Sequence, residues 1–334
     1  MSISVPKLLV YIPAYSDFNG AGEQSRKIKS QEFQSEIQVT TIISVNAVDL
    51  TNNELVMLKE SCDTLIYHRE NLGGDININL GYLRALSEGA DFYWVLSAND
   101  ALIESGIKDI LREVIDMNAD LLIIGNSNSQ LTGDLDNVFI GDGPLLPIGL
   151  ISSVIYKTEK FKNSFASALK FAWTGWGQLS VIQNAIFEHG SLSYKIIGEN
   201  TIYNRNSKIE ISEQWERNKT NYRHSFFGYP LLATLLFEND RRLKRKIVRK
   251  WLGANWYKIR FFKDGKSPYN ASVISTSDAF WTGPLSKNSI LFSSVYSPIL
   301  YFVGNLKLIY KLRRFSFFRY LKTNVLQKKL SREK

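Results

Sequence analysis

Residues 91–106 read DFYWVLSANDALIESG, and this stretch decides the fold. A short apolar run, residues 92–96, has the length of a buried strand. It ends in small and polar residues that lead to Asp100, and a helical pattern of apolar residues resumes at Ile107. Open α/β sheets bind ligands beyond the carboxyl ends of their strands, so Asp100 lies where a ligand is expected. The alternative for Asp100 taken alone is a cap on a turn or on the next helix.

Strands and helices alternate along the first 200 residues. Short apolar runs predict strands at residues 7–13, 39–45, 64–68, 121–124 and 151–156, with late short strands at 194–197 and 201–203. Helices are predicted between them, one with the capping box of Thr51 and Glu54, one at 82–89 and one at 178–189. This order predicts a doubly wound, mostly parallel α/β sheet with helices on both faces. Residues 126–149 show no clear element, which is typical of a functional loop.

Composition narrows the class of protein. The chain has 334 residues, of which 44% are hydrophobic and 22% charged, as in a globular protein. A single cysteine, Cys62, excludes a disulfide framework and a cysteine-rich metal site, and the three histidines lie far apart. The N-terminus has no signal-peptide pattern, and no stretch reaches the roughly 20 apolar residues of a spanning helix. We therefore expect a cytoplasmic protein.

Charge divides the chain into two regions. Residues 1–200 contain 14 basic and 24 acidic residues, a net charge of −10, whereas residues 201–334 contain 27 and 8, a net charge of +19. We predict a compact ligand-binding domain over residues 1–210 and a basic, mainly helical region over residues 211–334. Residues 241–263 interleave ten basic residues with aromatic ones, and residues 307–322 carry an apolar stripe surrounded by lysine and arginine. This pattern favours an interfacial helix on an anionic membrane surface over a stripe packed on the first domain. Nucleic acid is not expected, because no nucleic-acid module accompanies the charge.

Four blocks, in order, resemble family 2 glycosyltransferases of the GT-A fold. They are VYIPAYSD (residues 10–17), SVNA (44–47), NLGGDININ (71–79) and YWVLSANDAL (93–102). Residues 152–156 and FAWTGWGQLSVI (171–182) are similar to the acceptor-side segments of bacterial lipopolysaccharide and O-antigen sugar transferases, most of all the abequosyltransferase-like branch. The resemblance covers about residues 7–190 and leaves the basic region uncovered.

The resemblance implies a site for a nucleotide-sugar donor. Asp100 would bind Mg²⁺ or Mn²⁺, hard cations that bridge carboxylate and phosphate oxygens. The acceptor side would include Trp176 and Gln178. The donor would be held by residues at the predicted sheet edge and in the Asn-rich loop: Pro13, Tyr15, Asn46, Arg69, Asn71, Gly73, Asp75, Asn79 and Asn99. The structural alternative for each of these residues is an ordinary turn, cap or surface ion pair.

Three positions depart from the family. Val45 stands where a carboxylate usually contacts the base, and Asn99 reduces the aspartate cluster to Asp100 alone. Gln178 stands where many relatives carry an acid or a histidine, and glutamine cannot act as a general base. We therefore take Asp142, in the long loop, as the candidate base.

The implied enzyme transfers a hexose or deoxyhexose from a nucleotide sugar to a lipid-linked oligosaccharide, by a single inverting displacement, at the inner face of the cell membrane. A catalytically inactive protein that binds sugar nucleotides or glycans is the alternative, and the three departures favour it. A nucleotidyltransferase is a third class. The first strand–helix loop, residues 14–22, argues against it because it contains no basic residue.

Overall fold

The computed structural model describes residues 5–15, 17–31, 36–46, 49–125, 131–139, 148–197, 202–204, 219–244 and 246–247. These residues belong to one compact unit, Met1–Val248. A second unit, Arg249–Lys334, lies outside the described residues, and with it the predicted cationic helix at 307–322.

An eight-stranded sheet forms the centre of the unit. The described strands are β1 (Lys7–Ala14), β2 (Gln38–Asn46), β3 (Thr64–His68), β4 (Phe92–Val95), β5 (Asp100–Leu102), β6 (Leu121–Ile124), β7 (Leu131–Leu135), β8 (Val154–Lys157), β9 (Leu192–Ile197) and β10 (Ile202–Asn204). The strand order of the sheet is β3-β2-β1-β4-β8-β6-β9-β7, and β5 and β10 form a separate antiparallel pair. Pairs β3–β2, β2–β1, β1–β4 and β6–β9 are parallel, whereas β8 and β7 pair antiparallel with their neighbours.

Helices cover both faces of the sheet. They are α1 (Phe18–Lys29), α2 (Asn52–Ser61), α3 (Gly74–Ser87), α4 (Glu104–Ile115), α5 (Thr158–Phe161), α6 (Ala166–Lys170), α7 (Gly177–His189) and α8 (Lys219–Leu236), with short 3₁₀ turns at Ile151–Ser153 and Ala172–Thr174. Strand β1 shows why both faces need cover. Leu8, Val10 and Ile12 pack with α1 and α4, whereas Leu9 and Tyr11 pack on the opposite face with α3 and α7. Alternate side chains point to opposite faces, so a strand that is apolar throughout must be buried on both sides.

The sheet and its two helical layers confirm the predicted fold. Three local predictions were wrong. The strand predicted at residues 151–156 is a 3₁₀ turn over Ile151–Ser153 followed by β8. The third helix begins at Gly74 rather than at Tyr82, so most of the predicted Asn-rich loop is its first two turns. The low helix propensity of Asn is overcome here because buried Asn77 and Asn79 hydrogen-bond inside the fold. Strand β7 lies in the region predicted to lack an element, and it is held by pairing with β9, a partner about 60 residues away in sequence.

Helix α8 packs against the same core as the sheet. Leu232 and Ala233 are fully buried in the cluster that contains Tyr11, and Phe237 and Ile247 extend it. A Cβ on Gly228 would clash with the carbonyl of Thr174, so α8 and the 3₁₀ turn Ala172–Thr174 lie in direct contact. The domain division near residue 210 stays a prediction. Among the described helices, none is long and apolar enough to cross a membrane.

Candidate active site

The carboxyl ends of four parallel strands meet at one edge of the sheet. They are Ala14 of β1, Asn46 of β2, His68 of β3 and Val95 of β4. Parallel strands bring these ends together, and the loops that follow them surround a common crevice. The loop after β4, residues 96–99, leads at this edge to Asp100, the first residue of β5.

Ser152 holds the carboxylate of Asp100. Its hydroxyl donates to Asp100 Oδ2 at 2.5 Å and accepts from the backbone N–H of Ser97 at 2.9 Å. Buried Trp94 fixes the same turn, because its indole N–H donates to the carbonyl of Ser152 at 2.8 Å. The side chain is therefore oriented by residues from a turn that lies more than 50 positions along the chain.

Burial raises the pKa of Asp100, and the hydrogen bond from Ser152 partly offsets this rise. A half-buried carboxylate with a raised pKa is stabilised by a nearby cation, which makes Asp100 suitable to hold a hard divalent ion. Asn99 is exposed beside it and can add an amide oxygen. Among the described residues there is no group of three or more His, Cys, Asp or Glu side chains that could hold a metal. A metal at Asp100 would therefore depend on ligand and water oxygens for the rest of its coordination.

The loop before α3 is shaped by Asn46 and Asn71. The Asn46 amide donates to Asn71 Oδ1 at 2.9 Å and accepts from the N–H of Leu72 at 2.8 Å, and Asn71 Oδ1 also accepts from the N–H of Gly73 at 2.9 Å. Gly73 has φ +77°, a left-handed conformation that favours glycine. Asn46, which is buried, thus acts on the loop conformation rather than lying open to a base or ribose.

The first turn of α3 faces this edge without a side-chain cap. Gly73 stands at the N-cap position and has no side chain to accept from the first N–H groups of the helix. A helix N-terminus attracts phosphate and carboxylate groups through its backbone N–H groups and its dipole. Asp75 is half-buried in this turn, and Arg69 is exposed between β3 and the loop.

A buried polar network lies under the first turn. Asn77 Oδ1 accepts from Tyr11 Oη at 3.0 Å and from Ser44 Oγ at 2.6 Å, and Ser44 Oγ lies 3.0 Å from His68 Nε2. Burial and the nearby positive charge of Arg84 lower the pKa of His68, so the ring stays neutral above its lowered pKa. The network ties β1, β2, β3 and α3 together beneath the site.

The remaining donor-side residues differ in exposure. Tyr15 is 59% exposed just beyond β1, where a flat ring is free to stack on a base. Pro13 is half-buried in the strand. Asn79 is buried, donates to the carbonyl of Asp75 at 2.6 Å and packs against Gly177, so it supports the first turn of α3 from inside.

The acceptor-side residues also lie partly inside the protein. Trp176 packs edge-on against Tyr229, with ring centroids 5.5 Å apart. Gln178 is buried and donates to the carbonyl of Gly149 at 3.2 Å. Trp173, which the sequence analysis did not select, is the exposed aromatic of this corner, at 53% exposure. Asp142, the candidate base, lies outside the described residues.

Three residues that build the site were not predicted from the sequence. Ser152 lies within residues 152–156, which are similar to the acceptor-side segments of sugar transferases, but its hydrogen bond to Asp100 was not predicted. Asp17 caps α1, with Oδ1 accepting from the N–H of Gly20 at 2.8 Å, and a cap-like Asp before a helix was its only signal. Gln24 contacts the loop that carries Asp100 through backbone carbonyls, and such contacts leave no mark on the sequence.

Comparisons with known proteins agree on the fold. No protein-family model matches the chain, and no curated protein matches it. Among solved structures, TarS 1-349 of S. aureus is similar with a TM-score of 0.55 and 13% identity, covering 89% of this chain and 86% of that one. The same protein in complex with UDP gives a TM-score of 0.51 and 14% identity, with 89% and 86% covered.

A longer TarS chain from S. aureus gives a TM-score of 0.52 and 13% identity over 89% of this chain, which spans 52% of that chain. At such identity the likeness shows the fold alone. The sheet order and these structures together define a GT-A-type α/β fold, in which the carboxyl ends of β1 to β4 form the edge that carries Asp100.

Proposed function

We propose that this protein is a glycosyltransferase that uses a nucleotide-sugar donor. The observation that carries the proposal is the half-buried Asp100 carboxylate. Ser152 holds it at the edge that the carboxyl ends of β1 to β4 form in a GT-A-type sheet. A UDP complex of TarS 1-349, a protein of similar fold, supports the nucleotide part of the donor. The donor sugar proposed is a hexose or a deoxyhexose.

Each part of such a donor has a suitable partner at the edge. Exposed Tyr15 would stack on the base. The uncapped first turn of α3 and exposed Arg69 would bind the diphosphate through N–H groups and positive charge. Asp100, with Asn99 beside it, would hold Mg²⁺ or Mn²⁺, and the ion would neutralise charge developing on the leaving nucleoside diphosphate.

The acceptor and the base belong to the same proposal. Gln178 donates to a carbonyl and has no titratable group, so it does not remove the acceptor proton. We assign that role to Asp142, for an inverting displacement. We propose a lipid-linked saccharide as acceptor in bacterial surface polysaccharide (lipopolysaccharide or O-antigen) synthesis. The basic aromatic region, residues 241–263 and 307–322, would hold the enzyme at the anionic inner face of the cell membrane.

A thermal-shift experiment tests the donor site. The purified full chain is melted with UDP, GDP, CDP and dTDP, each with and without Mn²⁺, because a ligand that binds only the folded state raises the midpoint. We expect one nucleotide to raise the midpoint only with Mn²⁺, and Asp100→Ala to remove the shift. Asp109→Ala is the matched control, since Asp109 is an exposed aspartate on α4. Absence of any nucleotide effect in the parent protein would refute the site assignment.

A catalytically inactive sugar-nucleotide or glycan-binding protein is the second candidate. The absence of a multi-carboxylate cluster among the described residues favours it, together with the buried, hydrogen-bonded state of Gln178. Release of nucleoside diphosphate from the donor that stabilises the protein separates the two. Binding with release supports the enzyme, and binding without release in the presence of acceptor lipids supports the binding protein.

A further inference from the structure

One face of helix α1 is hydrogen-bonded to the loop that carries Asp100. Gly20, Gln24 and Lys27 follow each other at spacings of four and three residues, so they share one face of the helix. The Gln24 side-chain amide donates to the carbonyls of Ser97 at 3.0 Å and Ala98 at 3.1 Å, and also to the carbonyl of Asp100. One turn further on, Lys27 Nζ lies 3.4 Å from the carbonyl of Leu102.

Gly20 allows the helix to approach this closely. A Cβ at Gly20 would lie 2.7 Å from the carbonyl oxygen of Ala98 and closer still to Asp17 Oδ2. Real side chains essentially never show such contacts, and the first of them is with rigid backbone. The close approach places the Gln24 amide within reach of three carbonyls at once.

Holding the Gln24 amide in this position costs free energy. Its NH₂ group has two hydrogens for three carbonyl acceptors, so at least one hydrogen is shared. Gln24 is fully buried, and its Oε1 has no hydrogen-bond partner within the described part of the chain. A buried acceptor that is left unpaired costs free energy, because it loses the hydrogen bonds that water would give it. The benefit of this side chain is therefore the conformation it gives to the loop rather than a full set of hydrogen bonds.

The loop is held on its other side by Ser152, which binds the Asp100 carboxylate and the N–H of Ser97. Gln24 fixes the carbonyls and Ser152 fixes the carboxylate, so the direction of the Asp100 side chain depends on both. We propose that Gln24 is a positioning residue for Asp100, which sets the affinity of the site for the metal–nucleotide complex without contacting either ligand. The proposal rests on the proposed function in one respect, namely that Asp100 binds the metal.

The test compares two buried glutamines. Gln24→Met keeps the length and apolar stem of the side chain and removes its donor. Gln31→Met is the matched control, because Gln31 is also buried, also leaves Oε1 without a described partner, and donates instead to the carbonyl of Lys27 at 2.9 Å. Gln24→Asn keeps the amide on a shorter side chain. It replaces Gln24→Met as the test variant if Gln24→Met fails to fold.

Two readouts are measured on the full chain. The first is the Mn²⁺ concentration that gives half of the nucleotide-induced thermal shift, and the second is amide hydrogen exchange across residues 96–103. Substitution of a residue that supports a metal ligand typically weakens metal affinity about 10–100-fold. We expect Gln24→Met to raise the half-saturating Mn²⁺ at least about tenfold and to speed exchange in this segment. Gln31→Met should leave both close to the parent values, even where it lowers the melting midpoint equally.

Equal effects of the two substitutions, or no effect of Gln24→Met on either readout, would overturn the proposal. Hydrogen exchange separates it from the proposed function. If the parent protein binds no nucleotide, the function fails, whereas the loop-holding role of Gln24 is still decided by exchange. Unchanged exchange in a variant with weakened Mn²⁺ dependence would also count against Gln24 acting through the loop.

Discussion

Removing the hydroxyl of Ser152 tests how the site is held together. Ser152→Ala deletes a hydrogen bond to a carboxylate, worth about 1.5–3 kcal/mol, and leaves the N–H of Ser97 without its acceptor, which costs about 1–3 kcal/mol when no water replaces it. Asp100 is only half-buried, so water molecules replace part of the lost hydrogen bonding. We expect the free energy of unfolding to fall by about 2–4 kcal/mol.

The same substitution changes the pH dependence of donor binding. The Ser152 hydrogen bond lowers the pKa of Asp100 against the effect of burial. Without it the pKa rises further, so a larger fraction of Asp100 is protonated in mildly acid solution and unable to bind a metal. Weakening of the metal-dependent nucleotide effect on acidification should therefore begin at a higher pH in Ser152→Ala than in the parent protein.

Urea denaturation and nucleotide thermal shifts at a series of pH values measure both effects. Ser153→Ala is the control, since Ser153 is a buried neighbour for which no hydrogen bond to the described Asp100 loop is seen. A Ser152→Ala protein with parent stability and an unshifted pH profile would refute the reasoning, because Asp100 would then be oriented by something other than this hydroxyl.

Three further substitutions test the surroundings of the site. Burial raises the pKa of Asp100, so its contribution to stability is present at low pH and lost as the pH rises through the folded-state pKa. Asp100→Asn should therefore be more stable than the parent near neutral pH, and this advantage should shrink on acidification in urea titrations; a less stable variant would contradict it. Gly20→Ala should destabilise by about 1–3 kcal/mol and weaken the Mn²⁺-dependent nucleotide shift, because its Cβ would clash with the Ala98 carbonyl; a gain in stability, as for an exposed helix glycine, would disprove the close approach. Tyr93→Phe removes a buried hydroxyl with no partner among the described residues and should be neutral or stabilising by roughly 1 kcal/mol; a loss in the denaturation midpoint would show that the hydroxyl is paired.

Local sequence patterns predicted the sheet because its strands are buried on both faces. Apolar runs such as residues 8–12 and 92–96 fit strands that are covered on both faces, and all of these residues are buried. The start of α3 could not be predicted in the same way. Gly73, Gly74 and the asparagines indicate a loop by propensity, and only the hydrogen bonds of Asn77 to Tyr11 and Ser44 make a buried helical turn acceptable there.

The edge of the sheet at which the candidate site residues lie was predictable from the strand ends, but the direction of their side chains was not. Asp100 and Tyr15 lie where the strand ends put them. Asn46, by contrast, holds a loop through its hydrogen bonds, and Trp176 packs against Tyr229, which lies 53 positions further along the chain. Whether a polar residue at a strand end faces a ligand or its own backbone depends on such partners, which strand and helix periodicity does not contain.

Two features of the Asp100 loop cost stability: the Oε1 of buried Gln24, which has no described partner, and the buried carboxylate of Asp100. Together they support the proposal that this edge binds a ligand. A buried acceptor without a described partner is not informative alone, since Gln31, Thr158 and Tyr93 also have one away from the loop. At residues 97–100 it coincides with a carboxylate whose pKa burial raises, at the edge where GT-A-type sheets bind ligands. A sequence selected only for stability would relieve one of the two, because an uncharged side chain at Asp100 keeps the Ser152 hydrogen bond without the cost of burying a charge. Under the proposed function both would persist because a carboxylate that binds a cation has to be held rigidly, and the hydrogen bonds of Gln24 and Ser152 hold this loop from opposite sides.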